Sequence, residues 1–259
     1  METKIIKKRI AYGTYKIKDQ SVLKQCLKQV QICGYDFIDT AAYYENEDLI
    51  GNAINELKNE GFEFKLPIQT KIWPTMFDRV FEAVHTSLQK LQVKQLDMCL
   101  LHWPHEIIIK NIIAWKTLIE CQKKGLIKEI GVSNFSGELI KALSEITGVT
   151  PFANQIELSV DRSQDQLVEF NKTHNIETQA WRPLKNLDTL KYNPVVMQIA
   201  KKYNVEAASI LIAYVSNLNH TVLVKSENLD RIKQNYQAFF IKLESDEVAA
   251  LKKLATRID

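Results

Sequence analysis

Short apolar runs alternate with longer amphipathic segments along the whole chain. After the first run, residues 19–21 (Asp-Gln-Ser) supply candidates for a helix cap, and the residues that follow place apolar side chains at the spacing of one helical face. Strands are predicted at residues 10–15, 36–41, 66–72, 96–101, 128–132, 152–158, 177–181 and 221–224. Helices are predicted at residues 18–33, 46–59, 77–92, 108–124, 137–147, 164–174, 194–218, 229–238 and 245–255.

This alternation indicates a fold class. Short strands that alternate with helices are typical of a parallel sheet, because each parallel connection needs a crossover long enough to hold a helix. Eight such units in one chain predict that the sheet closes into a barrel, and the length of 259 residues suits one such barrel. No linker rich in proline, glycine or serine divides the chain. The sequence therefore predicts an α/β protein in which residues 1–259 form a single (β/α)8 TIM-barrel domain.

The composition is that of an ordinary globular protein, with 46% hydrophobic and 25% charged residues. The formal net charge of +3 is small and the basic residues are spread, which argues against nucleic-acid binding. The 4 cysteines lack metal-ligand spacing, so we expect reduced thiols and a cytoplasmic protein. The first residues lack the apolar core of a signal peptide, and no apolar run reaches the roughly 18 residues of a membrane span. We expect a monomer.

Reactive polar residues mark the ends of three predicted strands. Asp39 ends the second apolar run and Tyr44 lies in the turn after it, while Lys71 ends the third run and His102 the fourth. In a parallel barrel the carboxyl ends of the strands meet at one face, where catalytic residues collect. The sequence therefore predicts that these four side chains lie together. His102 and His105 lack a third near ligand, so no metal site is predicted.

Three segments carry more specific motifs, with D-T-A-A-x-Y-x-N-E at residues 39–47, T-K-x-W at residues 70–73 and L-H-W-P at residues 101–104. Lys225-Ser226 and Arg231 follow near the end of the chain. In this order the set resembles the signatures of the aldo-keto reductase family. The resemblance implies a (β/α)8 barrel that uses NADPH to reduce the carbonyl group of a small aldehyde or ketone to an alcohol.

The resemblance also implies a role for each residue at the strand ends. Reduction of a carbonyl group needs a hydride on carbon, which NADPH supplies, and a proton on oxygen. Tyr44 is implied as the general acid in reduction and the base in oxidation. Lys71 would lower the pKa of Tyr44, and Asp39 would hold Lys71 in place. His102 would donate a hydrogen bond to the substrate oxygen.

None of the 8 glycines falls in a G-x-G-x-x-G motif, so the cofactor cannot be bound as in a Rossmann fold. Loops after the seventh and eighth strands of a barrel, with the start of a following helix, can bind phosphate instead. The implied cofactor contacts are Gly13, Thr14, Tyr15, Ser133, Asn134, Gln155, Trp181, Arg182, Pro183, Leu184, Lys225, Ser226, Arg231, Gln234 and Asn235. The implied walls of the substrate pocket are Trp73 and Trp103.

The resemblance assigns some of these residues to the adenosine end of the cofactor and others to the nicotinamide end. Lys225, Ser226 and Arg231 would bind the adenosine 2′-phosphate, which implies NADPH rather than NADH, and Asn235 would contact the adenine. At the other end, the nicotinamide carboxamide needs both hydrogen-bond donors and acceptors, which the side chains of Ser133, Asn134 and Gln155 provide. Trp181 would stack on the nicotinamide ring.

The chain also departs from the family pattern. Only residues 1–9 precede the first strand, so we expect a shortened N-terminal hairpin. The chain ends almost directly after the last predicted helix, so we expect no long C-terminal tail and an open, permissive pocket. Arg182 replaces a small serine near the cofactor pyrophosphate, where it would either bind phosphate or crowd the site. Val224 replaces a usual proline and Gln234 a usual glutamate.

Two other functions remain open at this point. One is a barrel that binds NADPH but has a regulatory or structural role with little turnover. The other is an aldolase in which Lys71 forms a Schiff base with the substrate. The complete set of Asp39, Tyr44, Lys71 and His102 favours the reductase. The resemblance implies a substrate from the range of that family, which includes sugars, keto acids, steroids, quinones and lipid aldehydes.

Overall fold

Eight parallel strands form a closed barrel in the computed structural model, which describes residues 8–256. The predicted (β/α)8 barrel is therefore confirmed. Most of the expected short hairpin and the last three residues lie outside the described range. The strands are β1 (Ile10–Gly13), β2 (Phe37–Asp39), β3 (Ile68–Ile72), β4 (Leu96–Leu101), β5 (Ile127–Ser133), β6 (Ala153–Glu157), β7 (Glu177–Trp181) and β8 (Thr221–Val224).

The helices follow the predicted alternation and pack around the barrel. They are α1 (Gln20–Cys33), α2 (Glu47–Asn59), α3 (Val80–Leu91), α4 (Ile108–Lys123), α5 (Gly137–Thr147), α6 (Asp165–Thr173), α7 (Leu187–Leu190), α8 (Pro194–Tyr203), α9 (Ala207–Asn217), α10 (Leu229–Ala238) and α11 (Ser245–Lys252). None of the helices within residues 8–256 combines the length and apolar character needed to cross a membrane.

Helix α1 shows how local sequence sets these boundaries. The carboxylate of Asp19 accepts hydrogen bonds from the backbone N–H groups of Ser21 and Val22, at 2.8 and 3.0 Å, so it is the one of the three candidate residues that caps the helix. The helix ends at Cys33 and is followed by Gly34, whose φ of 95° is easily adopted only by a residue without a side chain. Buried Leu23, Leu27 and other apolar residues between these ends hold the helix against the barrel.

Two helical segments differ from the prediction. The helical segment predicted at residues 194–218 consists of two helices, α8 and α9, because Asn204 takes a left-handed conformation with φ of 51° and ends α8. The helix predicted from residue 77 is preceded by a 3-10 turn at Pro74–Arg79 and begins at Val80. Helix α7 was not predicted, because its four residues are too few to show a helical period.

The strands separate two cores. The large apolar core lies between strands and helices and includes fully buried Trp115, Leu118 and Ile212. The barrel interior contains smaller apolar clusters, one of which consists of Ala11, Phe37 and Leu223. Polar side chains fill the rest of the interior. Because side chains alternate between the two faces of a strand, this interior can present polar groups at the carboxyl ends of the strands.

Candidate active site

The four residues predicted at the strand ends lie close together in the structure. Asp39 is the last residue of β2, and Tyr44 ends a 3-10 turn at Ala42–Tyr44. Lys71 lies near the end of β3, and His102 directly follows β4, where its backbone N–H donates to the carbonyl oxygen of Ile72. Parallel pairing of β2, β3 and β4 therefore brings the side chains to one end of the barrel.

The ammonium group of Lys71 is the centre of this cluster. Its Nζ donates to Asp39 Oδ2 at 2.6 Å, to the carbonyl oxygen of Thr40 at 2.9 Å and to Tyr44 Oη at 3.4 Å. Lys71 is fully buried, and Asp39 is almost so. Burial lowers the pKa of Lys71, but Asp39 and Tyr44 outweigh that effect, and the pKa is raised. Lys71 is therefore a charged group with all three donors used.

The hydroxyl group of Tyr44 is governed by opposing effects. Burial raises its pKa, the charge of Lys71 lowers it, and the charge of Asp39 raises it. The lowering expected from Lys71 is present, but burial outweighs it, so the pKa lies above that of an ordinary tyrosine. Tyr44 is therefore protonated at neutral pH, which is the form that can donate a proton.

The imidazole of His102 is held by aromatic neighbours. Its ring lies edge-on to Tyr44 and Trp73, with centroid separations of 5.7 and 5.0 Å. The Nδ1 atom is buried and has no hydrogen-bond partner among residues 8–256. Burial and then the charge of Lys71 lower the pKa of His102 to about 2. His102 is therefore neutral, and it can orient an oxygen atom by a hydrogen bond without adding a second positive charge.

We predict that the imidazole of His102 stays neutral across the working pH range. Its NMR resonances, assigned by comparison with a His102→Gln variant, should not shift between about pH 4 and pH 9, because protonation would place a charge in a buried site beside Lys71. A titration of the His102 signals near pH 6 would contradict this result. It would show that water reaches the ring and that the histidine can act as an acid.

A cavity of about 750 Å³ opens next to this cluster and has the size of a ligand-binding pocket. The predicted site residues that line it are Gly13, Tyr15, Asp39, Tyr44, Trp73, His102, Trp103, Ser133, Asn134, Gln155, Trp181, Arg182, Pro183, Leu184 and Lys225. Of the other predicted residues, Lys71 and Thr14 are buried beside it, where the hydroxyl of Thr14 donates to the carbonyl oxygen of Asp39. Tyr43, Leu223, Val224 and residues 185–189 also line the cavity, although they were not predicted to do so.

Aromatic side chains form much of the wall near Tyr44. Tyr43 stacks on Trp73, with ring centroids 4.1 Å apart and an interplanar angle of 18°. Trp103 lies edge-on to Trp181 at 6.4 Å. Tyr43 directly precedes Tyr44 in the sequence, and this position could have indicated that Tyr43 also lines the cavity. These rings give the cavity near Tyr44 an apolar surface that suits the carbon skeleton of a small molecule.

The residues predicted to bind the carboxamide form one connected group. Asn134 donates to the hydroxyl of Ser133 at 3.0 Å and to the carbonyl oxygen of His102 at 3.1 Å, and its own Oδ1 accepts from Trp181 Nε1 at 3.0 Å. The Nε2 atom of Gln155 donates to Asp39 Oδ1 at 3.0 Å. Its Oε1 accepts no hydrogen bond from residues 8–256, so it can accept one from a ligand in the cavity.

The loop after β7 forms a second side of the cavity. Arg182 has a left-handed backbone conformation with φ of 56°, and its guanidinium lies 5.2 Å from the ring centroid of Trp181. Within the described part of the chain this guanidinium forms neither a hydrogen bond nor an ion pair. Pro183, Leu184 and the residues up to Thr189 continue along the cavity. Arg182 is thus a cation at the cavity edge that can bind an anionic group.

The loop between β8 and α10 begins at the cavity wall. Lys225 lines it and pairs with the carboxylate of Glu227, and Ser226 forms a local turn through its hydroxyl. Arg231 lies in the first turn of α10, and the Asn228 side chain caps that helix by accepting from the Arg231 backbone N–H at 2.9 Å.

The structure does not place every predicted cofactor residue on the cavity wall. Ser226, Arg231 and Asn235 are not part of its lining, and Gln234 lines a smaller cavity between α8, α9 and α10. No group of three or more histidine, cysteine, aspartate or glutamate residues suited to a metal occurs within residues 8–256.

A model of the aldo/keto reductase family matches residues 9–256. The methylglyoxal reductase DkgA of Escherichia coli is 37% identical over 247 residues, which cover 95% of this chain and 89% of that protein. The NADP(+) glycerol 2-dehydrogenase of Saccharomyces cerevisiae is 34% identical over 269 residues and covers 92% of this chain and 85% of its own length.

Solved structures of aldo-keto reductases have the same fold as this chain. An aldo/keto reductase from Brucella melitensis superimposes with a TM-score of 0.86 at 33% identity, covering 95% of this chain and 94% of that one. A variant of Gox0644 solved in complex with NADPH superimposes with a TM-score of 0.87 at 30% identity, covering 95% of this chain and 89% of that one. The chain belongs to the aldo/keto reductase family.

Proposed function

We propose that this protein is an NADPH-dependent oxidoreductase that reduces aldehydes or ketones to alcohols on a single barrel domain, with Tyr44 as the proton donor. One observation carries the proposal. The buried ammonium of Lys71 lies between Asp39 Oδ2 at 2.6 Å and Tyr44 Oη at 3.4 Å. The cavity of about 750 Å³ gives a ligand access to the hydroxyl of that tyrosine.

The residues present fit a nicotinamide cofactor. For the nicotinamide, the unoccupied acceptor of Gln155 suits the N–H₂ group of a carboxamide, and Trp181 offers an aromatic face. For the phosphate groups, Lys225 offers a cation on the cavity wall, and the N-terminus of α10, a few residues further along the chain, offers backbone N–H groups and a helix dipole that favour anions. Arg182 also lines the cavity and suits the pyrophosphate. One relative with NADP(+) in its name and a neighbour solved in complex with NADPH support this choice of cofactor.

The protein's own part in the reaction is to position the carbonyl group and supply a proton. When bound, NADPH supplies the hydride to the carbonyl carbon. Neutral His102 orients the carbonyl oxygen toward Tyr44, and the hydroxyl of Tyr44 transfers its proton to that oxygen as negative charge develops there. The positive charge of Lys71 stabilises the tyrosinate that remains. Trp73 and Trp103 line the cavity and offer apolar surface to the carbon skeleton.

The buried environment of Lys71 does not support an aldolase. A Schiff base requires an unprotonated amine that can reach the substrate carbonyl. Lys71 instead has a raised pKa, uses all three donors and is fully buried. If this protein is an aldolase, borohydride should trap a substrate on Lys71, and the proposed reductase predicts that it will not.

The names of the relatives suggest small carbonyl compounds as the first substrates to test. Oxidation of NADPH should be followed by absorbance with methylglyoxal or an aromatic aldehyde and without any carbonyl substrate. We expect carbonyl-dependent loss of NADPH, with formation of the corresponding alcohol. Tight NADPH binding without turnover on any carbonyl would instead favour the regulatory alternative.

The preference for NADPH over NADH offers a separate test. Replacing Lys225 or Arg231 with alanine should raise the KM for NADPH about tenfold or more and leave the KM for NADH within about twofold, because NADH lacks the 2′-phosphate. Glu227→Gln is the matched control variant, and it is expected to change the KM for NADPH in the opposite direction. Glu227 pairs with Lys225 and would repel a phosphate, so its neutralisation should lower the KM for NADPH.

These kinetics would contradict the proposed phosphate site in two ways. Equal effects on NADPH and NADH would show that Lys225 and Arg231 act elsewhere on the cofactor. A higher KM for NADPH in Glu227→Gln would show that the Lys225–Glu227 pair shapes the loop and that its charge does not compete with the phosphate.

A further inference from the structure

Three glutamines occupy the barrel interior below the catalytic cluster. Gln69 lies in β3, Gln155 in β6 and Gln179 in β7, and all three are buried. Gln69 is two residues before Lys71, so both side chains lie on the same face of β3. Gln155 and Gln179 are opposite each other in the register of β6 and β7. A buried amide needs hydrogen-bond partners, and these three satisfy one another.

Their hydrogen bonds end on the catalytic carboxylate. The Nε2 atoms of Gln69 and Gln155 both donate to Asp39 Oδ1, at 2.6 and 3.0 Å. The same two atoms donate to Gln179 Oε1, at 2.9 and 3.1 Å. Gln179 Nε2 returns a hydrogen bond to Gln69 Oε1 at 3.0 Å. Each amide therefore has a defined orientation, and Asp39 Oδ1 is held by two N–H donors.

The network continues to the opposite end of the barrel. Gln179 Nε2 also donates to Glu177 Oε2 at 3.2 Å. Glu177 in turn accepts from Arg9 Nε at 3.1 Å and from the hydroxyl of Thr221. The glutamine group is therefore bound to the Arg9–Glu177 ion pair toward the amino ends of the strands and to Asp39 toward their carboxyl ends. The interior is a continuous polar connection between an ion pair at the amino end and the catalytic ion pair.

We propose that Gln69 and Gln179 are positioning residues that act on Tyr44 through Asp39 and Lys71. The two oxygens of Asp39 have separate partners, with Oδ1 bound by amide N–H groups and Oδ2 by the ammonium of Lys71. Amide donors take up part of the negative charge, so the carboxylate neutralises the ammonium less completely. The remaining positive potential acts on Tyr44 Oη and limits the rise of its pKa. This inference rests on the proposed role of Tyr44.

The arrangement also determines which atom Gln155 presents to the cavity. Because its Nε2 is committed to Asp39 and Gln179, its Oε1 is the atom left for a ligand. The same network that sets the charge around Lys71 therefore fixes the proposed carboxamide acceptor. Loss of Gln179 would free Gln155 to turn and would weaken both functions together.

The test replaces the amides by a side chain of similar length and shape. Methionine is unbranched and suits this interior, where Met98 already lies near Gln179 Nε2. Gln69→Met removes one donor to Asp39, and Gln69→Met/Gln179→Met removes the amide pair without leaving one of the two unpartnered. The readout is the pH profile of kcat for alcohol oxidation with NADP, in which Tyr44 must lose its proton.

In both variants we expect the apparent pKa of this profile to rise by about half a unit, because Asp39 then neutralises Lys71 more fully. At neutral pH kcat should fall about threefold in both reaction directions, while the melting temperature of the double variant stays close to that of the wild type. Gln164→Met is the control. Gln164 is also buried, but it donates to the carbonyl oxygen of Glu157 and does not contact Asp39.

A wild-type pH profile in Gln69→Met would overturn the inference and leave the glutamines a purely structural role, and this single variant decides the matter if the double variant does not fold. An equal pKa shift in Gln164→Met would also overturn it. Failure of the proposed function is distinguishable, because the wild-type protein would then show no turnover that depends on Tyr44.

Discussion

Replacing Tyr44 with phenylalanine is expected to lower kcat for carbonyl reduction by about a hundred- to ten-thousand-fold, the range for loss of a general acid. Phenylalanine keeps the ring and removes only the hydroxyl that accepts from Lys71 Nζ at 3.4 Å. NADPH binding should stay within about twofold of the wild type, because the cofactor contacts proposed here lie on other strands. The measurements are steady-state NADPH oxidation and a fluorescence titration of NADPH.

Tyr43→Phe provides the matched control for this loss. Tyr43 is the preceding residue and lines the same cavity, but its ring stacks on Trp73 and its hydroxyl has no contact with Lys71. We expect its kcat to change by less than about threefold. A large loss in Tyr43→Phe with normal turnover in Tyr44→Phe would reverse the assignment of the acid. Loss of NADPH binding in Tyr44→Phe would mean that the variant does not test proton transfer.

The direction of the pH dependence follows from the raised pKa of Tyr44. Reduction requires the protonated hydroxyl, so its rate should be nearly constant through neutral pH and fall only as the pH rises through that pKa. Oxidation of an alcohol requires the deprotonated form and should become faster over the same alkaline range. Both limbs should disappear in Tyr44→Phe. A rate that instead changed at acidic pH would show that a group other than Tyr44 controls the pH dependence.

Much of the fold could be predicted from local patterns. The strand at residues 177–181 and the helices at residues 137–147 and 229–238 have the predicted bounds. Each is delimited by polar or cap-forming residues, such as Ser136 before α5, so a short window of sequence contains the information. The division at Asn204 was missed because asparagine inside an apolar helical pattern does not by itself indicate a left-handed residue.

The part of the candidate site that lies at strand ends could be predicted from the sequence, because the carboxyl ends of barrel strands meet at one face. That principle brings Asp39, Lys71 and His102 together without any knowledge of the loops. Tyr43 and residues 185–189 line the cavity because of turn and loop conformations, which a strand pattern does not specify. Predicting the balance of charge around Tyr44 also required three-dimensional burial, since Lys71 alone suggests a lowered pKa and the buried site has the opposite net effect.

The glutamine network illustrates a signal that was present but unused. The sequence places Gln69 and Lys71 two residues apart, and Glu177, Gln179 and Trp181 follow the same alternation. In a barrel strand this spacing puts the side chains on one face. Polar residues at consecutive inward positions would normally be unfavourable, and their presence on two strands at once indicates mutual hydrogen bonding. The partner strands, however, become neighbours in the interior only after the barrel closes.

Replacing Lys71 with methionine is expected to reduce both stability and activity. The change leaves the carboxylate of Asp39 buried without a cation, which costs about 3–5 kcal/mol of unfolding free energy at neutral pH. The loss should be smaller at acidic pH, because a protonated carboxyl group is less costly to bury. kcat should fall at least about a hundredfold, because no positive charge then stabilises the tyrosinate. Denaturant unfolding at two pH values and steady-state kinetics measure these effects.

The double variant Asp39→Asn/Lys71→Met separates the two consequences. Both buried charges are gone, and a neutral amide replaces the carboxylate beside Gln69 and Gln155, so unfolding free energy should return to within about 2 kcal/mol of the wild type. Activity should remain as low as in Lys71→Met, because stability is restored without the ammonium. Recovery of kcat together with stability would show that Tyr44 does not need Lys71 as a charge. Full stability of the single variant would instead show that Asp39 is not held as a buried anion, and the charge balance argued for Tyr44 would then be wrong.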